Sequence, residues 1–151
     1  MFLFSFNFAN VQNISYICGK FERIIIMNTH TCLLCIGSNY YRTAYMAYAR
    51  NDLMKHFPDI RFSPEMETEA IGNRFLSPFS NQVASFETTL SAEEVRTILK
   101  QIERNHDRLP EDKAHGVVKM DIDLLMYDDC MLKPQDLERD FVLEGIKFLS
   151  L

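Results

Sequence analysis

Asp121 and Asp123, two carboxylates one residue apart, are the side chains here best placed for chemistry, because the run around them has the pattern of a strand. From Val117 to Tyr127, Val118, Met120, Ile122, Leu124 and Met126 alternate with Lys119, Asp121, Asp123 and Tyr127, the two-residue period of a half-buried strand. Residues i and i+2 on a strand lie roughly 7 Å apart, and two ionised carboxylates held that close repel each other unless a cation lies between them. Oxygen ligands of this kind suit Mg²⁺, which keeps waters and completes its octahedron with substrate phosphates. The implied chemistry is a metal presented to a nucleotide. The competing reading is a merely solvated strand face, where charged residues commonly sit. A calcium-binding EF-hand is excluded, since no Gly occupies the sixth position of the loop.

The elements that must position the pair follow from periodicity and punctuation. Thr31 to Ile36 is apolar on both faces, as a central strand should be, and Gly37-Ser38-Asn39 ends it with residues that let backbone N–H groups approach a ligand. A helix is expected from Tyr41 to Phe57, with Ala44, Tyr45, Tyr48, Ala49, Leu53 and Phe57 as its apolar stripe and Pro58 as its stop. A short strand over Asp59 to Ser63 leads into a polar connection running to Pro78, and a third strand spans Phe79 to Thr89. Ser91-x-x-Glu94 is a capping box that opens a second helix, whose Val95, Ile98, Leu99 and Ile102 recur at helical spacing. That helix fades near His106, where a partly charged ring suits the negative helix end and needs no catalytic explanation. Asp107 to Gly116 is expected as a charged loop feeding the Asp-x-Asp strand. A short helix over Pro134 to Arg139 and an apolar segment from Phe141 to Leu149 close the chain. The order β-α-β-β-α-β with a C-terminal helical segment is an α+β class, the ferredoxin-like split βαβ sandwich, with helices on one sheet face and the other free to build a site.

With 151 residues, 47% of them hydrophobic, the chain suffices for one sizeable core. A net charge of -5 argues against a general affinity for nucleic acid or anionic membrane. Cys18, Cys32, Cys35 and Cys130 form no disulfide framework, so a reducing cytoplasm is the expected compartment. Cys32 and Cys35 have the spacing of a zinc or redox pair, but strand geometry sends i and i+3 to opposite faces, which favours inert buried thiols. The segment 1–26 begins like a signal peptide yet lacks a basic start and a cleavage site, and it is too polar to span a bilayer. Met27 is therefore the expected start of the domain, 27–151, with 1–26 an extension. Deleting 1–26 should leave stability and activity unchanged, and loss of folding would overturn that expectation.

Five segments, in this order, resemble hydroxymethyldihydropterin pyrophosphokinase of folate biosynthesis. They are Cys35-Ile36-Gly37-Ser38-Asn39, Thr68-Glu69-Ala70-Ile71-Gly72, Phe79-Ser80-Asn81-Gln82-Val83 with Glu87-Thr88-Thr89-Leu90-Ser91, Gln101-Ile102-Glu103, and Asp121-Ile122-Asp123-Leu124-Leu125. Together they cover about Thr31 to Leu143 of a divergent member. The resemblance implies transfer of diphosphate from ATP to the hydroxymethyl group of 6-hydroxymethyl-7,8-dihydropterin, giving AMP, in a monomer. Asp121 and Asp123 would hold two Mg²⁺ ions, with Arg108 and Lys119 as the catalytic cations. Gly37, Thr68, Ile71, Phe79, Asn81 and Phe141 would form the pterin pocket, Asn81 meeting the amide edge and the two phenylalanines stacking on the ring. Glu103, Leu124 and Arg139 would lie near the nucleotide.

Departures accompany the match. Where the family sets several arginines and a histidine against the triphosphate, this chain has Pro110, Ala114, Val118 and Gln135. Arg108 is kept, with Lys113, Lys119 and Arg139 as substitutes, and a lysine does not replace a bidentate fork. The resemblance therefore implies kept metal and pterin sites, a thinned phosphate clamp and reduced turnover. Two rivals remain: a silent relative that binds pterin or nucleotide, and an unrelated ferredoxin-like interaction module.

Overall fold

His30–Ser38 forms the central strand β1 of a computed structural model that describes residues 28–70, 77–106 and 109–151. The expectations for 1–26, Ile71 and Arg108 lie outside those residues. After β1 come helix α1 (Arg42–His56) and strands β2 (Arg61–Phe62), β3 (Met66–Thr68) and β4 (Phe79–Thr88). Helices α2 (Ala92–Asn105) and α3 (Pro110–Ala114) then lead to strands β5 (Asp121–Tyr127) and β6 (Cys130–Met131). Helices α4 (Pro134–Leu137) and α5 (Asp140–Leu149) complete the chain. The sheet order is β2-β4-β1-β5-β6, with β3 also pairing β4, and the recorded pairs are antiparallel. An edge of β2 and β3, then β4, β1 and β5, is the order of the ferredoxin-like sandwich that the sequence pattern predicts.

The main core lies between one sheet face and α1 with α2. Cys32, Leu34 and Ile36 of β1 meet Met46, Ala49 and Leu53 of α1 and Val95, Leu99 and Ile102 of α2 there. The Ser91 capping box is formed: the Ser91 N–H donates to Glu94 Oε2 at 2.8 Å and the Glu94 N–H to Ser91 Oγ at 3.3 Å. The buried stripe of α1 differs from the expected one. It runs through Met46, Ala49 and Leu53, while Tyr48 faces outward and stacks on His106 at 5.2 Å between centroids. His106 caps α2 and meets Asp52 at 2.7 Å, in keeping with a structural role.

The opposite face is not left bare. Helices α4 and α5 cover part of it through Leu137, Phe141, Val142 and Leu149, which pack on Leu33, Val83 and Leu125. Gly145 makes the approach possible, since a Cβ there would stand 2.7 Å from Val83 Cβ. Among the described residues, the part of this face near the end of β1 is left open for a site.

Four local expectations change. The strand begins at Asp121, and Met126 and Tyr127 exchange faces across a bulge. Leu33 pairs with Met126 but Leu34 with Leu124, so Leu125 is an extra residue. Beyond it, Met126 joins the α5 side and Tyr127 the main core, where its hydroxyl donates to Leu90 O at 2.9 Å. The connection after Ser63 contains β3, and the loop before Gly116 contains α3. Among the described residues no helix is long and apolar enough to cross a membrane.

Candidate active site

Strand register sets side chains into rows across the open part of the sheet. Gly37 of β1 lies between Asn81 of β4 and Asp121 of β5, and Cys35 lies between Val83 and Asp123. Residues paired in this way share a face, so one surface carries an amide, two carboxylates and a thiol. A cavity of about 220 Å³ opens over it. Its walls include Gly37, Thr68, Phe79, Asn81, Lys119, Asp121, Asp123 and Arg139. Eight residues picked from the sequence are thus brought together.

Several of them are held by traceable contacts. A Cβ on Gly37 would sit 3.2 Å from Asn81 Oδ1 and 3.9 Å from the Phe79 ring, so the glycine keeps the cavity floor open. Asn81 is 7% exposed, and its Nδ2 donates to Thr68 Oγ1 at 2.7 Å, an amide fixed in advance by the β3–β4 pairing. Asn39 fastens the entry to β5. Its Nδ2 donates to Gly116 O at 2.8 Å, and its Oδ1 accepts from the Val118 N–H at 2.6 Å. The segment carrying Lys119 and Asp121 is thereby tied to the end of β1.

Charges of both signs meet at the rim. Lys119 Nζ lies 3.1 Å from Asp112 Oδ2, and Arg139 Nε 3.4 Å from Asp136 Oδ1. A hydrogen bond from the Leu109 N–H, helped by Lys119, holds the Asp112 carboxyl below the usual carboxylate range. Burial, then the charges of Asp123, Asp121 and Asp136, push the Cys35 thiol up to about 12, so it stays protonated and unreactive at neutral pH. Cys32, on the other face, is likewise pushed up to about 12 by burial and by Asp128. The two thiols are free and face apart, as strand geometry requires.

Three further picks stand apart from the cavity walls. Phe141 is 8% exposed and packs in the second core, with the Arg139 guanidinium 5.9 Å from its ring centroid. Leu124 turns into the main core. Glu103 is buried at the seam of α2 and β5, where its Oε1 accepts from the Ile122 N–H at 2.7 Å and from Lys100 Nζ at 2.8 Å. The Lys113 side chain lies outside the described residues.

Sequence reasoning missed two cations at Asp123. Lys133 Nζ is 2.8 Å from Asp123 Oδ1 and Lys100 Nζ is 3.7 Å from the same oxygen. Burial draws the Lys133 ammonium down, but the Asp123 hydrogen bond and the charges of Asp123, Asp121 and Asp136 outweigh it and raise its pKa. No motif marks Lys133. Asp128-Asp129 reads as a hairpin turn, but continuing the register of Met126↔Met131 and Tyr127↔Cys130 would set Lys133 opposite Leu124, on the core face. The chain leaves that register after Met131, where the N–H groups of Leu132 and Lys133 both donate to Leu125 O, and Lys133 reaches Asp123 instead.

Among the described residues no cluster of three or more His, Cys, Asp or Glu could hold a metal by itself. Two adjacent carboxylates with open space before them instead fit Mg²⁺, which needs few protein ligands when a polyphosphate supplies the rest. A family model described as 7,8-dihydro-6-hydroxymethylpterin-pyrophosphokinase matches residues 33–150. No curated protein matches the sequence.

Proposed function

Since the chain belongs to the 7,8-dihydro-6-hydroxymethylpterin-pyrophosphokinase family, ATP-dependent enzymes of folate biosynthesis, we propose that it transfers diphosphate to 6-hydroxymethyl-7,8-dihydropterin at the cavity above β1. The observation that carries this reading is the row Asn81, Gly37, Asp121 across three strands. It sets a preorganised amide and a carboxylate on either side of a gap without a side chain, inside one cavity. Asn81 and Thr68 meet the polar edge of the pterin, Phe79 offers a ring face, and Gly37 leaves room for the heterocycle.

In the transfer, the hydroxymethyl oxygen bonds to the β-phosphorus of ATP. The bond from that phosphorus to the α,β-bridging oxygen breaks, AMP leaves with the oxygen, and the hydroxyl proton passes to solvent. Asp121 and Asp123 would hold two Mg²⁺ ions, which would supply charge neutralisation at the phosphate oxygens and at the hydroxymethyl oxygen as its proton leaves. Lys119, Arg139 and Arg108 hold phosphate oxygens, and Ile71 borders the pterin. Lys119 and Arg139 are already engaged by Asp112 and Asp136, which supports a turnover below that of a full arginine clamp. A site assembled within one chain is compatible with a monomer, and free thiols with a reducing cytoplasm.

The test is AMP formation by the purified chain. We expect AMP only when ATP, Mg²⁺ and the hydroxymethylpterin are all present. Pterin binding without AMP would identify the silent relative, and binding of neither ligand would leave an interaction module.

A further inference from the structure

We propose that Lys133 is an exchangeable counter-ion of the metal site, holding Asp123 while the site is free of metal and turning to the nucleotide's phosphates once a divalent cation takes that carboxylate. The inference rests on the reading of Asp121 and Asp123 as metal ligands. Two lysines approach Asp123 Oδ1, and their surroundings differ. Lys100 Nζ also donates to Glu103 Oε1 at 2.8 Å and to Ile122 O at 3.3 Å, so it is committed to the seam between α2 and β5. Among the described residues, Lys133 has its one ion pair with Asp123, and its side chain is 41% exposed.

The anchor of Lys133 is fixed by backbone bonds, and its tip is held by Asp123. Its N–H donates to Leu125 O at 3.3 Å, and its carbonyl accepts from the N–H groups of Asp136 at 3.1 Å and Leu137 at 3.2 Å, at the start of α4. Pro134 holds the next turn. The flexible stem therefore swings from a fixed point at the rim where Asp123, Asp136 and Arg139 line the cavity. A cation bound at Asp123 repels an ammonium on the same oxygen. The polyphosphate that arrives with that cation is the nearest new anion, and a lysine on a mobile stem meets phosphate as a point charge.

Opposite effects on two ligands test this. With Lys133→Met, Mn²⁺ binding to the nucleotide-free protein, followed by electron paramagnetic resonance, should tighten by about two- to five-fold, the worth of a half-exposed ion pair. Binding of α,β-methylene-ATP with Mg²⁺ should weaken about ten-fold or more, because a charge-assisted contact is lost. Lys133→Arg should bind the analogue within a few-fold of the wild type. Equal melting temperatures would confirm that a surface side chain was removed without loss of fold. If the wild type binds both ligands and Lys133→Met binds them equally well, or binds Mn²⁺ more weakly, the exchange is wrong while the site stands. If the wild type binds neither, the metal-site reading falls and takes this proposal with it.

Discussion

Asp123→Ala is expected to cut AMP formation by about a thousand-fold or more, while the chain still melts in one cooperative step. A single preorganised charge-stabilising group is worth about 10² to 10³ in rate, and removing a carboxylate that holds the metal removes more than a single contact. Its stability cost is small. The side chain is 21% exposed, and its partners Lys133 and Lys100 are 41% and 44% exposed, so neither ammonium is stranded away from water. Half-exposed pairs of this kind contribute up to about 1 kcal/mol. Mn²⁺ affinity should fall together with the rate, which separates a lost ligand from a disturbed fold. Turnover close to that of the wild type in a well-folded Asp123→Ala protein would remove the proposed mechanism.

The floor of this site was legible in the sequence because alternation along a strand is a geometric fact. Asp121 and Asp123 had to share a face, and the chain order placed their strand beside β1. The capping box at Ser91 and the opposed thiols of Cys32 and Cys35 were legible for equally local reasons. What failed to show depended on tertiary contact. The extra residue Leu125, which exchanges Met126 and Tyr127 between faces, is apolar like its neighbours and leaves no mark on the pattern. Strand β3 has the polar composition of a loop and exists because Met66–Thr68 can pair with Phe79–Asn81. Phe141 lies in an apolar helix that must cover the sheet, so spacing alone could not separate a stacking ring from a core ring. Lys133 was hidden because its place beside Asp123 comes from the chain leaving the β6 register, and not from a motif.

Glu103→Ala is expected to lower stability by about 2 to 3 kcal/mol, through the loss of a charge-assisted bond and the stranding of a buried N–H, and to weaken Mn²⁺ binding by about ten-fold or more as the carboxylates lose their placement. Beyond Met126 and Tyr127, β6 gives β5 no partner, so the outer backbone groups near the two aspartates need other ones. Glu103 accepts from the Ile122 N–H at 2.7 Å, and Lys100 donates to Ile122 O at 3.3 Å. These two side chains of α2 occupy the place of a missing strand, and the residue they grip stands between Asp121 and Asp123. For a domain of this size the loss corresponds to a fall of roughly 10 °C in Tm. Glu103→Gln keeps an oxygen acceptor for the N–H and should recover most of the stability. A direct contact between Glu103 and the nucleotide predicts a different outcome, in which Glu103→Ala raises KM for ATP and leaves both Tm and Mn²⁺ affinity unchanged. Measuring the three quantities on both variants decides between a carboxylate that positions the strand and one that touches the substrate.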